Sequence, residues 1–220
     1  MSALYSIGAT NQLADALENA GFNPGDLTKL TQFKDLKGVK AILNGQAEIF
    51  YLVKKYREEN GVIYFKVISD GTTGQQWIER LENKVFKLSK WAKELLLSKD
   101  FKPTTGIVYT IAVLKGDLFT DSNRITKKIR SEAVKRKLVA PNPEVACLIR
   151  EMFSDAEIKA MGLTWIVTMH KPIKDSAGDL RLLNTPRNDD GSWLSTDCGT
   201  SDHSWSSDSG FAFEVSQVSL

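Results

Sequence analysis

An α+β chain is what the sequence predicts, with strands drawn from distant parts of the sequence and no βαβαβ rhythm. Three observations point there. Val62 to Ile68 and Ile107 to Leu114 are apolar, β-branched runs of strand length. Leu13, Ala16 and Leu17 follow helical spacing, and Trp77–Leu81 and Trp91–Leu95 are pairs four apart. A long Ser/Asp-rich stretch near the C-terminus returns to one more apolar strand, Phe211 to Val218.

The elements follow in order. Thr10 is placed to cap a first helix that Gly21 closes. Asn23-Pro24-Gly25-Asp26 restarts the chain, with Leu27 and Leu30 on the next apolar face. Leu36, Val39, Ile42 and Leu43 continue the helical period, and Ala47 to Tyr56 fits either a helix or an extended segment. Glu58-Glu59-Asn60-Gly61 is a polar break, so residues 1–59 are expected to form a small helical module and residues 60–220 a second domain.

Asp70-Gly71 turns the strand at 62–68, and helices are expected over Thr73 to Leu81 and Ser89 to Leu97. The strand at 107–114 is expected to be buried and to end at Lys115-Gly116-Asp117. Ser122 to Lys137 reads as a basic helix capped by Ser122 or Asn123. Pro143 to Phe153 reads as a short apolar helix. Ser154 and Glu157 form a capping box for another helix, which Gly162 stops. Leu163 to Met169 is a strand, and Asp175 to Asp179 turns into a strand at Leu180 to Leu183.

Composition excludes several classes. At 42% hydrophobic residues and net charge +2, a collagen, a wholly disordered chain and a disulfide scaffold are ruled out. No apolar run approaches the ~20 residues of a membrane span. Met1-Ser2-Ala3-Leu4-Tyr5 lacks a basic, then apolar, leader, so a cytoplasmic location is expected, with surface display by another route left open. Cys147 and Cys198 have no metal-ligand spacing. The charge is uneven: +7 over residues 1–183 and −5 over residues 184–220.

Residues 185–209 carry the strongest signal. Seven are Ser, five Asp and three Thr, and none is Lys, Glu, Gln or Met. Randomising only the adenines of an AAC or AAT codon generates every residue type in this window except its two tryptophans. Trp193 and Trp205 argue for an ordered functional loop, because exposed tryptophan is costly.

The run Asp190-Gly191-Ser192-Trp193, then Trp205, then Gly210-Phe211-Ala212-Phe213 near the C-terminus resembles the variable region of diversity-generating retroelement target proteins. The resemblance covers mainly residues 163–220, and it departs from many relatives in lacking arginines between the Trp and the Gly-Phe. It implies a C-type lectin fold of the formylglycine-generating-enzyme type for residues 60–220. It further implies a non-enzymatic ligand-binding protein, diversified by adenine-specific mutagenesis and without a cofactor. Gly191, Trp193, Trp205, Gly210, Phe211 and Phe213 would be scaffold. Ser195, Thr196, Asp197, Cys198, Gly199, Thr200, Ser201, Asp202, His203, Ser204, Ser206, Ser207 and Ser209 would vary and touch ligand, with Thr185, Pro186 and Asn188 at the leading edge. Small polar residues suit such a surface. Its partner would be a protein or other macromolecule that the sequence does not name.

Rival readings use other residues. His170, Asp197, Cys198 and His203 could be drawn as a Cys/His hydrolase, although a cysteine beside an aspartate is not in an activating setting. Asp189, Asp190, Asp197, Asp202 and Asp208 could suggest calcium, but their spacing fits no compact loop, and solvated aspartates are expected. Arg124, Lys127, Lys128, Arg130, Lys135, Arg136 and Lys137 could meet nucleic acid. The interleaved Ile125, Ile129, Ala133 and Val134 instead suggest a solvated helix packed on the core. Trp77, Trp91, Trp165 and Cys147 are expected in the core.

Overall fold

The computed structural model describes residues 6–32, 37, 40, 44, 55–188 and 190–216. The chain divides into two compact units, Met1–Val53 and Lys54–Leu220.

The first unit contains α1 (Ile7–Asn19) and α2 (Pro24–Gln32). Ser6, not Thr10, caps α1: its hydroxyl accepts the Ala9 N–H, while the Thr10 hydroxyl donates back to the Ser6 carbonyl. Gly21 closes α1 at φ +84°. Asn23 accepts the N–H groups of Gly25 and Asp26 and so starts α2. Leu36, Val39, Ile42, Leu43 and the segment 47–54 lie outside the described residues.

The second unit is a mixed α/β structure built on one large sheet. Its strands are β1 (Arg57–Glu59), β2 (Val62–Asp70), β3 (Lys87–Leu88), β4 (Thr105–Lys115), β5 (Leu138–Val139), β6 (Trp165–Thr168), β7 (Ile173–Lys174), β8 (Leu180–Asn188), β9 (Gly191–Cys198) and β10 (Ser209–Val215). The order is β1-β2-β4-β10-β6-β8-β9-β3, with β5 on β10 and β7 on β8. Most pairs are antiparallel, but β10 runs parallel to β6, and β3 parallel to β9. The polar run Glu58–Gly61, expected as a domain break, is the turn of the β1–β2 hairpin: Asn60 and Gly61 take positive φ there.

Helices cover both faces. On one lie α3 (Gly74–Asn83), α4 (Lys90–Leu96), α6 (Val145–Met152) and α7 (Asp155–Ala160), and on the other α5 (Thr126–Lys135). Strand alternation sorts the core accordingly. Phe211 and Phe213, with Val215 packed beside them, join Ile129, Ala133 and Trp205, whereas Ala212 joins Trp77, Leu81 and Ile149. The capping boxes of Thr73/Gln76 and Ser154/Glu157 start α3 and α7. Gly74 sits so close to α4 that an added Cβ would lie 1.8 Å from the Leu96 carbonyl oxygen.

Several expectations change. β4 is buried only from Tyr109 onward, and Ile107 and Val108 are exposed. The basic helix starts at Thr126 rather than after Ser122 or Asn123; a 3-10 turn, Asp121–Asn123, precedes it. The apolar helix spans Val145–Met152, shorter than 143–153. β8 runs to Asn188, well past Leu183, and the last strand ends at Val215; Val218 lies outside the described residues. Trp77 and Cys147 are fully buried, while Trp91 and Trp165 are half-buried. Among the described residues, no helix is long and apolar enough to cross a membrane.

His170 is a buried fastener at the end of β6. Its Nδ1 faces the Lys171 carbonyl at 2.7 Å and its Nε2 accepts the Leu183 N–H at 3.0 Å, which fixes the Nδ1–H tautomer. Burial holds its pKa down to about 4. The unfolded chain therefore takes up this proton first as pH falls, near 6.5. Stability should be flat above that value and fall as pH drops from 6.5 toward 4, by ~1 kcal/mol between pH 6 and pH 5 from this group alone. Urea unfolding at the two pH values should show that loss in the parent chain and its disappearance in His170→Asn; an unchanged loss in the variant would refute the assignment.

Candidate functional site

The biased segment is mostly not a loop. Its first part completes β8, Asp190 lies in a turn, residues Gly191–Cys198 form β9, and residues 199–208 form the irregular connection to β10. β8 and β9 pair antiparallel, with Asn184 opposite Ser195 and Leu182 opposite Asp197. Alternation along β9 buries Leu194 in the core, while Ser195, Thr196, Asp197 and Cys198 are half-buried. At the start of β9, Gly191 takes φ +134°, a conformation that favours glycine. Trp193 stands half-buried there, its Nε1 donating to Asp190 at 2.9 Å and the Lys87 ammonium lying 5.3 Å from its ring.

Residues 199–208 are held by main-chain atoms. Gly199 N–H donates to the Leu180 carbonyl. The Ser201 and His203 carbonyls accept the N–H groups of Lys127 and Thr126, which are the first donors of α5. The cap position of α5 is Ile125, which has no side-chain oxygen, so the loop backbone does the work of a cap. Ser204 bridges to Ile125, and Trp205 N–H donates to the Arg124 carbonyl. Arg124 is in turn buried, donating to the carbonyls of Gly116 (2.8 Å) and Phe119 (2.7 Å). At the far end, Thr164 N–H donates to the Asp208 carbonyl.

Trp205 and Gly116 seat this backbone. Trp205 is buried, donates through Nε1 to the Thr126 hydroxyl at 3.0 Å, and packs edge-on against Phe211 and His203. Gly116 lets the loop approach closely: an added Cβ would fall 2.7 Å from the Ser206 carbonyl oxygen and 2.8 Å from that of Ser207. Gly210 is similarly crowded by Leu163 and Val113. Trp205, Gly210, Phe211 and Phe213 are all buried. Gly116 was not legible as part of the site, because its role depends on a loop ninety residues away.

The proposed ligand-touching residues divide by exposure. Asn188, Ser201, Asp202, Ser204, Ser206 and Ser207 are exposed, while Thr200 and His203 are half-buried. Thr185 and Ser209, expected to touch ligand, do not reach the surface: both are fully buried. The Thr185 hydroxyl donates to the Ile166 carbonyl, and Ser209 pairs with Trp165 at the start of β10. A hydroxyl donated by Thr200 keeps the Asp202 carboxyl below the usual carboxylate range, and hydroxyls of Ser206 and Thr164 do the same for Asp208.

The hydrolase set is only partly assembled. His170 is sealed in the core, the Cys198 thiol pairs with the Thr200 hydroxyl at 3.3 Å, and His203 Nε2 faces Asp197 at 3.5 Å. The basic helix is largely occupied too. Besides Arg124, Lys128 donates to Ser122 and Asn123, Arg136 pairs with Glu132, and Arg130 donates to the carbonyls of Met169 and His170. Asp189 lies outside the described residues. Among the described residues, no group of three or more His, Cys, Asp or Glu is arranged to hold a metal ion. A groove of about 570 Å³ runs between α5 and the start of the loop, lined by Thr126, Lys127, Arg130, Leu180, Thr200 and Ser201 among others.

No family model, no curated protein and no solved structure matches this chain.

The seating of the loop gives a direct test. Trp205→Ala should cost ~3–5 kcal/mol, from lost burial and a lost indole hydrogen bond. Gly116→Ala should cost ~1–3 kcal/mol by overpacking against the loop carbonyls. Chemical denaturation measures both, and a change below ~0.5 kcal/mol in either would show that the loop is not seated there.

Proposed function

We propose that the chain is a non-enzymatic ligand-binding protein in which half-buried residues of β9 and exposed residues of the 199–208 loop form a diversified surface on a constant scaffold. The supporting observation is the division of labour in the loop. Most of its contacts to the rest of the domain are made by main-chain N–H and C=O groups, which every residue type except proline supplies in full. Trp205 and Asp208 add side-chain bonds to Thr126 and Thr164, and Ser206 bonds to Asp208 and Ser209, whereas the exposed side chains at 201, 204 and 207 make no hydrogen bond among the described residues. A segment built this way accepts many sequences without losing its course. The residue types in it are those reachable from AAC or AAT by adenine change, and Trp193 and Trp205, outside that set, make structural contacts.

In this reading the scaffold is a C-type-lectin-like domain of the kind carried by retroelement target proteins. The ligand is a protein or other macromolecule, and different copies of the gene display different surfaces. The buried Thr185 and Ser209 narrow the ligand-touching set to the exposed and half-buried positions between 195 and 207, with Asn188 at the edge.

Two measurements test the reading. The gene's 3′ end should show AAC- or AAT-derived codons at 195–207 and a nearby non-coding repeat with adenines at those positions; absence of both removes the retroelement origin. Simultaneous randomisation of residues 201, 202, 204, 206 and 207 should leave most variants folded, with single changes within ~0.5 kcal/mol of the parent. A library in which most members fail to fold would overturn the idea of a tolerant surface.

A further inference from the structure

Most arginines of this molecule have a carboxylate partner, and Arg130 and Arg187 do not among the described residues. Arg80, Arg136, Arg150 and Arg181 all meet carboxylates. Arg130 is half-buried, and its two terminal nitrogens donate to the Met169 and His170 carbonyls at 2.9 and 2.8 Å. Among the described residues no carboxylate pairs with it, and burial alone moves its pKa, downward. A desolvated guanidinium held in place by neutral acceptors is a cation short of an anion. It lines the groove beside α5, and Lys127, exposed, lines the same groove three residues earlier.

The other walls define what fits. Pro172, Leu180 and Gly199 add apolar lining, suited to methylene groups. Thr200 and Ser201, both in the proposed variable set, complete the lining. We propose that this groove binds an aspartate or glutamate side chain of an extended segment of a partner protein, with Lys127 and Arg130 as a constant cationic wall and residues 200–201 tuning which segment is accepted. The inference rests on the ligand-binding reading above and adds to it the chemistry of one anchor. A nucleic-acid backbone is the less suitable occupant. Phosphate tracking needs several free cations in a row, whereas Arg124, Lys128 and Arg136 on and beside α5 are engaged by protein acceptors.

The full-length chain can be tested on an array of 12-residue peptides with random flanks and a central glutamate, each matched to a copy with central glutamine. Among peptides that bind, fluorescence polarisation should show the glutamate copies at least tenfold tighter. Lys127→Glu, at an exposed position, should abolish that discrimination with the fold intact by circular dichroism. Arg130→Gln should reduce it, while Lys159→Ala, exposed on α7 at the other face of the sheet, should leave it unchanged. Equal binding of acid and amide copies, no binding by any peptide, or discrimination surviving Lys127→Glu would each overturn the proposal. So would a short duplex RNA or DNA that binds where no peptide does. If the acid preference holds while randomisation of the loop destroys folding, the diversified-surface reading falls and the groove stands.

Discussion

Everything in the second unit is organised around the pairing of β10. This strand comes near the end of the described chain, yet it lies inside the sheet, antiparallel to β4 on one side and parallel to β6 on the other. Its residues are buried on both faces: Phe211 and Phe213 toward α5, Ala212 toward α3 and α6. The sheet therefore cannot close until residues 209–215 arrive, and its defining contacts join segments a hundred residues apart in sequence. The segment that precedes β10 is tethered at both ends by the same arrangement. β9 ends in a core sheet, β10 begins in it, and the ten residues between them must span the gap along α5.

Much of this was legible from residue pattern. Helices whose caps are local, such as those begun by Thr73 and Ser154, start where the sequence placed them, because the capping groups lie within three residues of one another. The alternation of Phe211, Phe213 and Val215 on one face of β10 was readable for the same reason. Errors arose where a distant group decides the outcome. Ser122 and Asn123 are good cap residues, yet α5 begins at Thr126, because carbonyls from residues 201 and 203 supply the acceptors and Arg124 is drawn into the core. β9 was read as loop because it is rich in Ser, Thr and Asp, with Leu194 its single aliphatic residue. Thr185 and Ser209 were read as surface from composition, which carries no information about which strand face a small polar residue occupies.

The candidate site shows the same split. Its tryptophans and phenylalanines stood out in the sequence, since large aromatic residues in a polar stretch demand a place to pack. The groove did not, because its walls come from α5, β8 and the loop together. The basic residues of α5 looked like one surface in sequence. In three dimensions they separate into structural cations bonded to carbonyls and side chains, and the pair that borders the groove.

The main-chain seam between residues 199–208 and the rest of the domain also bears on proteolysis. A protease must draw a stretch of substrate backbone into an extended cleft, which requires the main chain to be free as well as visible. Here the side chains are visible and the backbone is engaged, at Gly199, Ser201, His203, Ser204, Trp205 and Asp208. Cleavage in this segment requires local opening of the seam, and that opening also uncaps α5. The surface can thus be chemically open to a binding partner and closed to a hydrolytic one, whatever side chains it carries.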